Sequence, residues 1–400
     1  MKRLLTIIFY SSALLFVPGA HAVSLEDVRK ATREGEYKIN LRYRFESVDQ
    51  DGSDEEANAS TLRSRFTWTS GKMDKWTYGI EADYVALIGA EDYNSTENGR
   101  TAFPVVADPE GFDLNQAFIK YGGDNITATL GRQRIVQADQ RFVGGVAWRQ
   151  NEQTYDAVRA QYTVNEQVTL DYSYVWNVNR IFGPNDGAQP ADWRSNSHFL
   201  NVAFKPAKGH KLEGFAYLLD FENDNGLPNS TATYGVSYSG QLGPLKVAGT
   251  YAQQSDYADS PLNYDADFLS LSAGLKLDPV TLSVGYDVLG SDDGAAGFRT
   301  PLATLHKFQG WADKFLGTPA NGIEDTYFGV AGAVGPVKLS ATYHEYEAEE
   351  GGATYGDELN LVANYSPTKG INLQLKLADY SADEFATDTQ KLWFSIILNI

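Results

Sequence analysis

The sequence predicts an all-β protein: a single transmembrane antiparallel β-barrel of about 18 strands, with short periplasmic turns and long extracellular loops. Three observations predict it. An export-type leader opens the chain, apolar and polar residues then alternate with a period of two, and the connections between the alternating stretches are short and long by turns.

Residues 1–22 read as a signal peptide: a basic start (Met1-Lys2-Arg3), an apolar run from Leu4 to Val17, a helix-breaking Pro18-Gly19 and a small-residue cleavage site at Ala20-His21-Ala22. Residues 23–35 follow as a short periplasmic segment. Ser24 is a good N-cap, Leu25 to Glu34 are helix formers, and Gly35 is a stop. The barrel should occupy residues 36–400. Its first strand is already explicit, with Tyr37, Ile39, Leu41, Tyr43 and Phe45 on one face and Lys38, Asn40, Arg42, Arg44 and Glu46 on the other.

The same alternation returns in Trp76–Tyr84, Val168–Trp176, Val280–Val288 and Ile371–Leu377, and the last stretch, from Leu392, runs to Ile400. A terminal strand of this kind closes a barrel against the first strand. Outer-membrane barrels commonly end in an aromatic residue, and Ile400 departs from that habit. Short connections such as 71–75, 122–125 and 164–166 alternate with long ones at 48–57, 90–111, 137–152, 181–195 and 290–322. A soluble β-sandwich also alternates apolar and polar residues, but it lacks this rhythm and packs aliphatics rather than so many tyrosines.

Composition agrees with the barrel. After the leader no apolar run approaches the roughly 18–20 residues of a membrane helix, and the mean hydropathy is −0.35. The 24 Tyr, 20 Phe and 7 Trp suit strands and interfacial girdles, whereas the absence of Cys excludes disulfides and lipoprotein anchoring. A net charge of −19 argues against a nucleic-acid partner.

Geometry then bears on function. About 18 strands, roughly 4.8 Å apart and tilted about 40°, enclose a diameter of roughly 36 Å, too wide for side chains alone to fill. Loops must fold inward, and the candidates are 137–152, rich in Gly and Arg, and 290–322. In the second, Leu302, Leu305, Phe308, Ala312, Phe315 and Leu316 recur at helical spacing, which predicts a helix inside the lumen or over its mouth.

The inner faces carry the candidate chemistry. Arg42, Arg44, Arg63, Arg65, Lys120 and Arg159 should face the lumen, opposed by Glu46, Glu81 and Asp83. Strict alternation would aim Arg132 and Arg134 at lipid, so a bulge at Gly131 is expected to turn them inward. Arg141 and Arg149 lie on the loop beyond, where Asp139, Glu152 and Asp156 are available as partners. Guanidinium forks grip carboxylates in pairs of hydrogen bonds, so this wall either recognises anionic solutes or stiffens the barrel by internal pairing. Anion recognition is the stronger reading because the bases outnumber the local acids.

The remaining acids, including Asp49 to Glu56, fall in the outer loops as a solvated rim toward lipopolysaccharide. No metal site is expected: Asp49-Gln-Asp-Gly-Ser-Asp has its glycine too early for an EF-hand. No cofactor motif, nucleophile elbow or His-Glu-x-x-His helix is present, so the chain is not expected to be an enzyme.

Several blocks then carry a resemblance: Arg42-Tyr-Arg-Phe-Glu46, Ala59-Ser-Thr-Leu-Arg-Ser-Arg65, Val106-Ala-Asp-Pro-Glu-Gly111, Leu114-Asn-Gln-Ala117, Gly131-Arg-Gln-Arg-Ile135, Asp139-Gln-Arg-Phe-Val-Gly144, Trp148 to Ala157 and Ala312-Asp-Lys-Phe-Leu316. Through them the chain resembles the alginate export family of outer-membrane barrels. The resemblance implies an eighteen-stranded barrel with an arginine-rich, anion-selective lumen, and carries over Arg42, Arg44, Arg63, Arg65, Arg132, Arg134, Arg141, Arg149 and Arg159 as pore-lining. It also implies a monomer. The family's exporter has a long periplasmic loop, whereas every periplasmic turn expected here is short, which points to the porin-like relatives. The expectation is a passive channel for anionic or sugar-acid solutes. The alternatives are a dedicated acidic-polysaccharide exporter with periplasmic partners, and a non-channel outer-membrane enzyme or surface-binding barrel.

Overall fold

The structure is a computed structural model that describes residues 24–400; the expected signal peptide lies outside the described residues. The helix α1 (Leu25–Arg33) opens on a capping box in which Ser24 and Asp27 exchange hydrogen bonds, the Asp27 amide donating to Ser24 Oγ at 3.2 Å and the Ser24 amide to Asp27 Oδ2 at 2.9 Å. It docks on the first periplasmic turn, where the Gly71 amide donates to the Ala31 carbonyl at 2.8 Å.

Eighteen strands follow: β1 (Glu36–Gln50), β2 (Ala57–Thr69), β3 (Trp76–Asp92), β4 (Gly111–Gly122), β5 (Ile126–Gln133), β6 (Thr154–Thr163), β7 (Val168–Asn179), β8 (Asp192–Ala207) and β9 (His210–Leu219) make one half. The other half is β10 (Thr231–Leu242), β11 (Leu245–Asp256), β12 (Asp265–Leu277), β13 (Val280–Leu289), β14 (Ile323–Val334), β15 (Val337–Glu347), β16 (Thr354–Thr368), β17 (Ile371–Ala382) and β18 (Thr389–Asn399). Each pairs antiparallel with its sequence neighbours, and β1 also pairs with β18 from Asn40↔Asn399 to Gln50↔Thr389. Closure leaves no free sheet edge. Ile400 takes part in the seam through its backbone, exchanging hydrogen bonds with Ile39 at 2.9 and 3.1 Å.

The period-two pattern sorts side chains as expected. Leu130, Val158, Leu200, Val236, Leu271, Phe328, Leu361 and Ile396 are exposed on the outer wall, while Arg42, Arg65, Asp83, Phe215, Lys376 and Trp393 are buried on the inner one. The inner residues are buried because loops 137–152 and 290–322 fold into the barrel. The two loops meet in a parallel bridge between Val143 and Leu302, with Gly144 N donating to Leu302 O at 2.8 Å. Ile135, Val143, Leu302, Ala312 and Phe315 join the inner-wall aromatics in one apolar core.

Two local expectations are corrected. Loop 290–322 holds only a single 3₁₀ turn, Leu305–Lys307, in place of a helix. The amides of Trp311 and Ala312, which a helix would use internally, donate to the inward carboxylate of Glu358 on β16 at 2.5 and 2.9 Å, and Gln309 and Asp313 have positive φ of 40° and 62°. The apolar residues at helical spacing are instead spread over an irregular strap: Leu302, Ala312 and Phe315 are buried and Leu316 is exposed.

The second correction concerns Gly131. Both ladders of β5 run through it without a register break, from Leu130↔Val158 to Gln133↔Tyr155 on one side and Ile119↔Leu130 to Ala117↔Arg132 on the other. The glycine, at φ +110°, permits a close approach to the Ala117 carbonyl of β4 that a Cβ would block. Bulges do occur nearby, on β4 at Asn115 and on β7 at Trp176.

Candidate functional site

The site is the zone where the inner wall of β1–β6 meets loop 137–152. Arg42 and Arg63 face each other across β1 and β2, a like-charge pair that water would ordinarily screen. Here loop 137–152 supplies the acceptors. Arg42 donates through Nε to Gln150 Oε1 at 2.9 Å, through Nη1 to the Ala147 carbonyl at 3.0 Å, and through Nη2 to the Arg149 carbonyl. Arg63 donates to Asn40 Oδ1 at 2.5 Å and reaches the Gln150 carbonyl at 3.4 Å. The loop is thereby fastened to the wall by its backbone.

Arg149 points the other way, back to the wall, donating to both oxygens of Glu46 at 2.9 and 3.1 Å and to Asp108 at 3.5 Å. Asp108 accepts the Gln150 amide at 2.7 Å and lies 3.9 Å from Arg44, whose guanidinium covers the Trp148 ring at 4.1 Å. Burial by itself would raise the carboxyl of Asp108; Arg149, Arg44 and the Gln150 amide together hold it below the usual range.

A second knot forms around Glu152. It accepts Arg65 at 2.8 Å, Arg134, and Asn115 at 3.2 Å. Burial opposes ionisation, and the two guanidiniums outweigh it, bringing the carboxyl down to about 2. Arg65 also grips Asp83 at 2.6 Å, and Arg134 reaches Glu81, which accepts Thr67 at 2.6 Å. Arg134 faces the lumen because β5 ends at Gln133, so its position escapes the alternation.

The other expected site residues scatter. Arg132 shares the outward row with Leu130, donating to Asp156 at 2.8 and 3.1 Å and to the Leu114 carbonyl at 3.0 Å; neither Arg132 nor its partner Asp156 faces the lumen. Near the strand's extracellular end a lipid-side arginine costs only about 0–1 kcal/mol, and this one is paired. Arg159 does face inward and pairs with Asp171 at 3.0 Å. Arg141 leaves the arginine wall for the opposite side of the barrel, donating to Asp287 and, at 2.6 Å, to Gln309 while stacking on Phe308 at 3.7 Å. Lys120 is exposed on the inner face of β4, level with Thr129 of β5 and, beyond it, Arg159 of β6.

Sequence reasoning missed Asp108, Asp171 and Asp287, which become partners only when the wall curves and the loops enter. It also missed a buried group on the far side of Trp148. Lys376 lies 3.9 Å from the Trp148 ring and 3.6 Å from that of Trp311, and donates to His306 Nε2 at 2.5 Å. His306 Nδ1 and Lys391 both donate to Asp313, at 2.7 and 2.9 Å. Burial, with Lys376 and Arg149 nearby, pushes His306 down to about 3 against the pull of Asp313, so the ring is neutral, accepting at one nitrogen and donating at the other. Among the described residues no group of His, Cys, Asp and Glu is arranged to hold a metal ion.

Below the loops, at the periplasmic end, the wall opens into a cavity of about 320 Å³. Lys38, Arg63, Arg65 and Arg134 line it, with Glu81 as the acid and Asn40, Thr67 and the last two residues of the chain completing it.

These blocks on β1–β6 lie within the reach of a family model: the one for alginate export matches residues 35–273, more than half of the 400-residue chain. The chain belongs to the alginate export family. Among curated proteins none matches the sequence. Solved structures similar to this family member include OccAB4 of Acinetobacter baumannii, with a TM-score of 0.69 at 15% identity over 92% of this chain and 98% of that one. OccD3 (OpdP) of Pseudomonas aeruginosa follows with 0.68 at 13% over 92% of each, and OccK3 (OpdO) of the same organism with 0.69 at 12% over 95% and 99%. Identities this low show a shared fold. Family and fold together make the protein a β-barrel of the bacterial outer membrane.

Proposed function

We propose that this alginate export family barrel is a passive, monomeric channel for anionic or sugar-acid solutes, working without catalysis or cofactor. The observation that carries the proposal is the periplasmic-side cavity, where Arg65 and Arg134 are held by Glu81, Asp83 and Glu152, and Lys38 and Arg63 have no carboxylate partner among the described residues. In a protein whose overall charge is −19, a local cationic excess inside a low-dielectric wall concentrates anions and repels cations. The acids lie mainly on the outer loops, where solvent and salt screen them.

Most guanidiniums of the wall are also structural, since they hold loop 137–152 in place. The two roles are compatible: a cation bonded to loop carbonyls, as Arg42 and Arg63 are, keeps its charge, whereas one held by two carboxylates is neutralised. A dedicated exporter of acidic polysaccharide, working with periplasmic partners, is the second reading, favoured by the family itself.

The test is the zero-current potential of the purified protein in a planar bilayer under a salt gradient. Anion preference is the expected sign, and replacing Lys38 and Arg63 with glutamine should reduce it. A cation preference would overturn the proposal, and absence of current would favour a plugged exporter or a non-channel barrel.

A further inference from the structure

The outer end of the barrel holds a second, larger cavity of about 960 Å³, bounded by residues from the segments 94–107, 180–193, 301–317 and 386–391. That is within the roughly 300–1,000 Å³ of small-molecule pockets. Its charged lining is Arg149, Arg180, His306, Asp313, Lys314 and Lys391. Four of these are accounted for. Arg149 is held by Glu46 and Asp108, while the one carboxylate, Asp313, is shared between His306 and Lys391.

Arg180 and Lys314 remain, and among the described residues neither forms a salt bridge. Arg180 donates only to neutral acceptors, Pro190 O at 3.1 Å and Gln189 Oε1 at 3.4 Å, and its guanidinium sits 3.9 Å from the Trp193 ring and 4.6 Å from that of Phe182. Lys314 reaches the side-chain oxygens of Gln50 and Thr387, at 3.2 and 3.5 Å. Burial lowers Arg180 to about 10 with no carboxylate to offset it, and burial with Lys391 nearby lowers Lys314 to about 8. Both groups are cations at neutral pH, and among the described residues no carboxylate lies within salt-bridge distance of either, Glu358, Asp313 and Asp388 acting on Lys314 only from farther off.

Within this lining Arg149 and Lys391 are thus spent on carboxylates, whereas Arg180 and Lys314 are held by neutral oxygens and border the open vestibule. The geometry points to Arg180 and Lys314 as an outer recognition subsite for a cyclic monoanion, a sugar acid of single-ring size, whose carboxylate takes the counter-ion position and whose ring lies against the vestibule aromatics. This rests on the anion-channel reading and assigns its solute selectivity to the vestibule. A planar guanidinium stacked on indole still presents edge N–H groups to a carboxylate. The Phe103 ring, also in the lining, offers an apolar surface to the apolar face of such a ring.

The experiment is blockade of the salt current through single channels of the full protein by glucuronate, with glucose as the uncharged control, added to either side. The wild-type channel should be blocked by glucuronate at lower concentration from the extracellular side. The double variant R180Q/K314Q should raise the half-blocking glucuronate concentration about tenfold, the loss of charge-assisted bonds, and leave that of glucose unchanged.

An anion-selective channel whose glucuronate blockade is the same in the double variant would overturn the subsite and leave the anion-channel reading standing. A wild-type channel without anion preference would overturn both, and an anion-selective wild type that glucuronate does not block would overturn the subsite alone. If the double variant fails to assemble by heat-modifiable mobility, R180K and K314Q are measured singly. Each should weaken glucuronate blockade about threefold or more, by loss of the stacked fork in one and of the charge in the other, and unchanged blockade in both would overturn the subsite.

Discussion

Loop 137–152 is held on its two sides by opposite kinds of chemistry. Toward β1–β3 it is fastened by charge: Arg42 on the Ala147 and Arg149 carbonyls, Arg149 on Glu46 and Asp108, and Glu152 on Arg65 and Arg134. Toward β9, β12 and loop 290–322 it is fastened by ring packing, with Phe142 set 4.9 Å from Phe215, 5.3 Å from Phe268 and 6.0 Å from both Tyr217 and Phe298. The charged side fixes the register of individual backbone atoms, because each guanidinium fork has only one matching set of acceptors. The aromatic side fixes depth, since burial rewards contact area more than orientation.

The largest effect should come from the charged side. Glu152→Gln removes the carboxylate shared by buried Arg65 and half-buried Arg134, which keep only Asp83 and Glu81, and should cost about 3 kcal/mol, read as a lowered urea midpoint of the lipid-reconstituted barrel and as noisier conductance. On the aromatic side, Phe142→Ala should cost about 2–3 kcal/mol, below the usual phenylalanine figure because the ring is half-buried, with conductance increased but register retained. Equal noise in both variants would break the distinction between the two sides.

Acid should separate the sides further. Glu152 has a folded-state value of about 2 against an ordinary 4.5, so its stabilisation is complete above about 4.5 and is lost as pH falls toward 2. His306, at about 3 against 6.5, is stabilising as a neutral ring above 6.5, and that contribution declines as pH falls toward 3. The barrel should therefore lose stability progressively from pH 6.5 downward, measured by unfolding midpoints at several pH values. His306→Gln should flatten the upper part of that curve, and Phe142→Ala should leave its shape alone.

Smaller effects belong to the pairs near water. Arg132→Gln, on the outward row, should change stability by about 0–1 kcal/mol and leave ion preference unaltered, in contrast to Lys38→Gln and Arg63→Gln in the periplasmic-side cavity. Neutralising the acidic outer loop at Asp51, Asp54, Glu55 and Glu56 should shift the zero-current potential least of all, and the shift should vanish in high salt.

The inner face of each strand could be read from period-two alternation alone, which placed Arg42, Arg44, Arg63, Arg65 and Arg159 on the inner wall together with Glu46, Glu81 and Asp83. Alternation failed where strands end or bulge. Arg134 turned inward because β5 stops one residue earlier, and the extra residues at Asn115 and Trp176 appear on strands that carry no glycine or proline signal at those positions. The apolar stripe of loop 290–322 resembled a helix because burial was its cause, and an irregular strap buries residues at irregular intervals too.

Strand number, closure and the split between an apolar outside and a polar inside follow from local patterning, which a one-residue shift would reverse, so the sequence by itself determined them. The partners of the arginines were decided only in the tertiary structure. Arg141 meets Asp287 across 146 residues and Arg149 meets Glu46 across 103, and no local periodicity encodes such a distance. What joins them is the void left by barrel closure: two loops fill it, and their buried polar groups must find acceptors there.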